Sequence, residues 1–191
     1  MAIALVRPAR EHLPGYIDAL ERGWSFNNLR PEAGFEELAQ IRSDPGRFLE
    51  GLDDREAKGP PVALPDGTQV PRLPGYRRWM WDGEFCGSIS LRWQHGSNTL
   101  PTYCLGHIGY GVVPWKAGRG CATRALGLML KEAAAEGLRY VEVTTSPDNL
   151  ASQQVIRANG GVLVEAFVKL PELGGTPEPR FRIDIEDASR S

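Results

Sequence analysis

Lys116, Gly118, Arg119 and Gly120 fall within one short loop, Val113-Pro114-Trp115-Lys116-Ala117-Gly118-Arg119-Gly120-Cys121-Ala122-Thr123. Two glycines at that spacing let successive backbone N–H groups turn toward one point. After them, Ala122, Leu126, Met129, Leu130 and Ala133 recur at helical intervals, so Cys121–Glu136 is expected to be an amphipathic helix. The N-terminus of such a helix brings unpaired N–H groups and a partial positive charge. Lys116 and Arg119 add full charges. Together these groups can hold a phosphate. The same loop read alone also fits an ordinary turn before a helix, and the next elements weigh between the two.

Leu105–Val113 reads as a strand leading into the loop. Tyr140-Val141-Glu142-Val143-Thr144-Thr145 reads as a second strand, and Asn149–Asn159 as a second helix that stops at Gly160-Gly161. The order is therefore strand, glycine loop, helix, strand, Asn/Ser-rich helix, glycine, strand. This stretch resembles the acetyl-CoA-binding core of the GNAT superfamily of acetyltransferases. The family's phosphate loop, Gln/Arg-x-x-Gly-x-Gly/Ala after a Val-x-Pro strand end, is matched here by Val112-Val113-Pro114 and then by Gly120 and Ala122. Ala117 departs from its leading Gln/Arg, and Lys116 or Arg119 is the expected substitute for that charge. The family's next motif is matched by Asn149, Ser152 and Gly160, whereas its Tyr position holds Ile156.

The resemblance implies an α/β fold: a central mixed sheet of six or seven strands, helices on both faces, splayed between Leu105–Val113 and Tyr140–Thr145. It implies one domain over residues 1–191, with the cofactor core at about 105–160. Acetyl-CoA is the implied co-substrate, with no metal. Its pantetheine arm would take backbone groups of Val112 and Val113, and its pyrophosphate would lie on the loop Lys116, Ala117, Gly118, Arg119, Gly120, Cys121, Ala122 and Thr123. Asn149 and Ser152 would face the arm. Those two residues also suit plain helix capping, and Cys121 suits plain space filling beside a lowered thiol pKa. The family layout also places Trp24 and Phe26 near the acceptor side.

Acyl transfer to an amine needs a neutral amine, a polarised carbonyl and a stabilised thiolate. Ile156 cannot donate a proton. The acid–base candidates are His107 and Tyr110 on the central strand and Glu142 on its neighbour, acting through water. Strand alternation puts His107, Gly109, Gly111 and Val113 on one face and Ile108, Tyr110 and Val112 on the other, unless a bulge at the glycines changes that parity. A lone strand histidine is more often a locally satisfied structural residue than a catalytic one.

With 41% hydrophobic and 24% charged residues the composition is that of an ordinary globular protein. A net charge of −2 gives no basis for bulk nucleic-acid binding. No apolar run is long enough to span a membrane, and Met1–Val6 is too short for a signal peptide. Cys86, Cys104 and Cys121 lack metal-ligand spacing and suit free thiols in a reducing cytoplasm. The acceptor is expected to be a small-molecule or peptide amine, and the sequence is compatible with a homodimer. A non-catalytic CoA or acyl-CoA sensor is the alternative. A dinucleotide site fits less well, because Thr123 stands where Gly-x-Gly-x-x-Gly needs its third glycine.

The remaining expectations are a first strand at Ile3–Arg7, helices at Arg10–Arg22, from Pro31 and at Asp44–Ala57, and an irregular Pro-rich connection at Gly59–Gly75. Strands follow at Tyr76–Trp81 and Glu84–Trp93 across an Asp82-Gly83 turn. Strands at 161–169 and 180–186 would close the chain as a hairpin around the loop Pro171–Pro179, before a frayed Asp187–Ser191.

Overall fold

The computed structural model describes residues 3–27, 30–64, 66–173 and 175–185. The tail Asp187–Ser191, expected to fray, lies outside them. In chain order the elements are β1 (Ala4–Val6), α1 (Leu13–Glu21), α2 (Ala33–Ser43), α3 (Pro45–Glu50), β2 (Asp53–Asp54), β3 (Val62–Ala63), β4 (Gln69–Val70), β5 (Gly75–Trp81) and β6 (Phe85–Arg92). They continue as β7 (Ile108–Val112), α4 (Cys121–Ala135), β8 (Tyr140–Thr144), α5 (Leu150–Ala158), β9 (Val162–Val168) and β10 (Pro177–Asp184).

The strands form a five-stranded sheet, β1-β5-β6-β7 with β2 on β5, and a three-stranded sheet, β8-β10-β9. Their ladders are antiparallel throughout. Helices cover both faces of the first sheet. On β5, Tyr76 and Met80 enter the core that α4 caps with Ala125, Leu126, Met129 and Ala133. Trp79, on the opposite face by strand alternation, enters a second core with Tyr16, Leu20, Leu38 and Phe48 of α1, α2 and α3. The buried stripe of α4 runs through Cys121, Ala125, Met129 and Ala133. It is rotated from the expected one, because Ala122 turns toward a cleft.

The sheet expected to be mixed is antiparallel and parted in two, and two expected segments change. Asp44–Ala57 is helical only as α3: Asp44 caps it by accepting from the Arg47 N–H at 3.0 Å, and the chain then leaves to pair as β2. The proline-rich connection contains the hairpin β3–β4.

The feature that positions the site is the parting of the two sheets. β6 and β7 pair without a register shift from Leu91↔Ile108 to Gly87↔Val112. Gly109 and Gly111 therefore introduce no bulge, and the shift falls between Met80 and Trp81 on β5. The Val113 N–H donates to the Cys86 carbonyl at 2.9 Å, and the Arg92 N–H to the His107 carbonyl at 2.9 Å. Antiparallel alternation then points the backbone groups of Gly109 and Gly111 at β6 as well, and those of Ile108, Tyr110 and Val112 at the opposite, unpaired edge. β8 belongs to the other sheet. The His107 N–H, donating to the Glu142 carbonyl at 2.8 Å, joins the two sheets at the base of the gap.

Candidate active site

The gap opens into a cleft of about 1520 Å³. One wall is the free edge of β7, the loop from Lys116 to Gly120 and the first turn of α4; the other is the end of β8 and the Asn149, Ser152 and Val155 side of α5.

The loop is built as the glycine spacing implies. Gly118 has φ 72° and Gly120 has φ 76°, left-handed values that side chains resist. A Cβ at either would meet nothing within 4 Å. Gly120 caps α4 and supplies no side-chain acceptor to its first N–H groups, which leaves them free to bind a ligand. Ala122 and Thr123 line the cleft in that first turn. Cys121 is buried, with its thiol 3.7 Å from the Lys116 carbonyl, so it fills space. Asn159 fastens α5 to this turn: its Nδ2 donates to the Thr123 carbonyl at 3.1 Å and to the Val155 carbonyl at 2.9 Å.

Of the cations, Arg119 is exposed and makes no ion pair with the described residues. Lys116 is corrected. Its ammonium turns back to the β5–β6 turn, 3.0 Å from Asp82 Oδ2 and 2.9 Å from Glu84 Oε2, and those contacts raise its pKa. Its backbone still lines the cleft; its charge is spent elsewhere. Val113 is corrected too. Its N–H goes to Cys86, its carbonyl accepts from the Lys116 N–H at 3.0 Å, and its side chain is buried among α1–α3, so nothing of it reaches the gap.

His107 is corrected as a base. It is fully buried. Nδ1 accepts from the Glu142 N–H at 2.9 Å, so the hydrogen-bond network assigns the proton to Nε2, which donates to the Asn98 carbonyl at 3.1 Å. Burial pushes its pKa down to about 4, against a smaller upward pull from Glu142. The imidazole is a neutral pin between the sheets. Glu142 is held by Arg182, whose Nη2 donates to Oε1 at 2.8 Å, with Arg180 at 3.9 Å from Oε2. Glu142 lies on the face of β8 away from the α4 core and does not line the cleft, so it does not reach an amine held there.

Tyr110 crosses the gap. Its hydroxyl lies 2.8 Å from Ser152 Oγ and 3.3 Å from the Ser152 carbonyl. Burial raises its pKa, and the Ser152 hydrogen bond opposes this only in part. Asn149 caps α5, accepting from the Ser152 N–H at 3.0 Å, which leaves its amide nitrogen toward solvent and cleft. Ile156 is fully buried in the core.

The far side of the cleft holds residues that no motif announced. Arg77 Nη1 donates to Glu37 at 3.1 Å and to the Tyr16 hydroxyl at 3.0 Å, while the Tyr16 hydroxyl also donates to Glu37. Arg77 stacks on Phe26, its guanidinium carbon 4.4 Å from the ring centre. Only the alternation of β5, which places Arg77 on the face of Trp79, could have suggested this cluster.

A model of the acetyltransferase (GNAT) domain family matches residues 26–162. No curated protein matches the sequence. Among solved structures, the microcin C7 self-immunity acetyltransferase MccE, in complex with acetyl-CoA and AMP, superposes with a TM-score of 0.63 at 16% identity, over 96% of this chain and 92% of that one. RimL, a ribosomal L7/L12 α-N-protein acetyltransferase in complex with coenzyme A, gives 0.62 at 15% identity, over 98% and 96%. RimJ of Mycobacterium smegmatis, in complex with a CoA disulfide, gives 0.61 at 17% identity, over 99% and 85%. At these identities the structures speak for the fold, and the family model for descent. The parted sheets, the left-handed glycine loop and the family match over most of the chain agree: this protein belongs to the GNAT family of acetyltransferases.

Proposed function

We propose that this chain transfers the acetyl group of acetyl-CoA to a primary amine by direct attack within a ternary complex. The observation that carries the reading is that the unpaired edge of β7 and the N-terminus of α4 open into the same cleft. The backbone groups of Ile108, Tyr110 and Val112 would pair with pantetheine as an added strand would. The N–H groups at Gly118–Thr123 would take the pyrophosphate, with Arg119 as the nearby cation.

In the transfer step the neutral amine forms a bond to the thioester carbonyl carbon, whose oxygen is polarised by the Val112 N–H. The C–S bond breaks, the sulfur takes a proton, and the nitrogen loses one to water in the cleft. Tyr110 is the proton donor to sulfur in this reading. Its burial keeps the hydroxyl protonated at neutral pH, and Ser152 orients it. It would thus replace the phenol that the family carries where Ile156 stands.

The sensor reading keeps one supporting observation, the burial of Ile156, which removes that usual phenol. Free-thiol release from acetyl-CoA over an amine panel, beside calorimetric CoA binding, separates the two. Binding with no release over any amine favours the sensor, and no binding rejects both. The acceptor class is a small-molecule or peptide amine.

A further inference from the structure

β7 has two unlike faces. Ile108, Tyr110 and Val112 pack toward the core that α4 and α5 share. Gly109 and Gly111 point the other way, carry no side chains and line the cleft. An amine that attacks a group held on the β7 edge therefore has its open approach over the glycines. A Cβ at Gly111 would stand 3.6 Å from Trp24 Cζ2 and 3.9 Å from Phe26 Cδ2, so aromatic rings wall that end. A Cβ at Gly109 would stand 3.0 Å from Arg92 Nη2. The guanidinium lies across the strand there because glycine leaves it room.

No carboxylate among the described residues pairs with Arg92. Every other cation on the cleft wall has a carboxylate: Arg30 has Glu36, Arg72 has Asp54 at 3.8 Å, Arg77 has Glu37, Lys116 has Asp82, and Lys169 has Glu178 at 2.9 Å. Arg92 forms no ion pair with the described residues. Its Nη2 donates to Ser90 Oγ at 3.3 Å, and that hydroxyl donates to the Gly109 carbonyl at 3.4 Å. Ser90 thus braces the guanidinium over the strand and leaves donors of the planar fork unused. The guanidinium faces the cleft, and its fork matches a carboxylate.

We infer that Arg92, held by Ser90, receives a carboxylate of the acceptor, so that the substrates are amines with a carboxylate close by. The inference rests on the acetyl-transfer reading above. Val112 lies three residue steps beyond Gly109, about 10 Å of strand. Attack takes up about 3 Å of this and the ion pair about 3 Å. The span left between amine and carboxylate is short, a few ångströms, which suits an α- or β-amino carboxylate. A free amino acid supplies that chemistry, and so does a peptide whose first residue is aspartate.

The test is kcat/KM for CoA-thiol release, referred to the neutral amine, over two matched pairs. One pair is β-alanine and β-alaninamide; the other is a peptide beginning with Asp and the same peptide beginning with Asn. The carboxylate member should be preferred about tenfold or more in one pair, and that pair names the source. Arg92→Gln should reduce the preference about tenfold while the KM for acetyl-CoA stays within about twofold. Arg92→Lys, which keeps the charge and loses the fork, should lie between. The inference is overturned if neither carboxylate member is preferred by the unaltered protein, a result that needs no folded variant. It is also overturned if the preference survives Arg92→Gln, or if acetyl-CoA binds and only amines without a carboxylate turn over. Failure of acetyl-CoA to bind in calorimetry would instead reject the acetyl-transfer reading beneath it.

Discussion

The Tyr110 hydroxyl sits 2.8 Å from the Ser152 hydroxyl, and this contact bridges the two walls of the cleft. Tyr110 comes from the free edge of β7 and Ser152 from the first turn of α5. Tyr110→Phe removes the proton and the bridge together. We expect kcat to fall about 100-fold, with CoA affinity changed by less than about threefold and stability lowered by about 1 kcal/mol. Because burial raises the Tyr110 pKa, the donor stays protonated through ordinary alkaline conditions. Turnover of the native protein should therefore not decline between about pH 7 and 9. A kcat within twofold of native for Tyr110→Phe would remove it from the chemistry.

The loop prediction uses two substitutions at one glycine. Gly120 holds φ 76° with open space where a Cβ would go. Gly120→Ala should cost about 1–2 kcal/mol of stability through the backbone alone. Gly120→Asp should cost a similar amount of stability, yet weaken CoA binding about 100-fold, since its carboxylate would oppose the pyrophosphate. Calorimetry on both folded variants checks this, and equal CoA affinities would mean the loop binds no phosphate.

The parts of this site that sequence made legible are local ones. The Gly118–Gly120 loop, α4 and the capped start of α5 follow from neighbouring residues, and the turn at Asp82-Gly83 follows from its own chemistry. The parts it hid depend on partners far along the chain. Lys116 reads as a loop cation until Asp82, 34 residues back, claims it. His107 reads as a titrating base until Glu142, 35 residues on, takes its Nδ1. The Tyr16–Glu37–Arg77 cluster spans 21, 40 and 61 residues between members, and no periodicity reports it. The Arg92–Ser90 pair is only two residues apart, but its meaning comes from the gap opposite it.

His107 makes a prediction about stability in acid. Its pKa is depressed to about 4 in the folded chain against about 6.5 unfolded, chiefly by burial. The unfolded chain therefore binds the proton first, and the folded state loses stability as pH falls from about 6.5 to 4. The full loss is on the order of 3 kcal/mol, since each pKa unit is about 1.4 kcal/mol. Urea midpoints measured across that range should fall steeply for the native protein. For His107→Gln, which can keep one of the two hydrogen bonds, the curve should start lower and run flatter. The activity of that variant, per folded molecule, should keep the native pH profile. A pH limb near 6–7 that disappears with His107 would restore it as a base.

The two loop cations differ in a way their sequence positions do not show. Lys116 is anchored between Asp82 and Glu84 with its side chain 10% exposed, whereas Arg119 is exposed and unpaired among the described residues. If the pyrophosphate lies on the first turn of α4, Arg119 is the charge that can reach it. Arg119→Gln should weaken CoA binding about three- to tenfold and make the affinity less sensitive to salt, because an exposed ion pair is screened within about 10 Å at 0.1 M. Lys116→Gln should leave CoA affinity within about twofold. Its cost should appear in folding, because Asp82, half-buried in the β5–β6 turn, loses the hydrogen bond that helps hold its pKa low. Calorimetry at two salt concentrations, beside melting curves for both variants, reads the two effects separately. Should Lys116→Gln weaken CoA binding and Arg119→Gln leave it alone, the lysine must swing out of its ion pair on binding, and the loop must rearrange to let it.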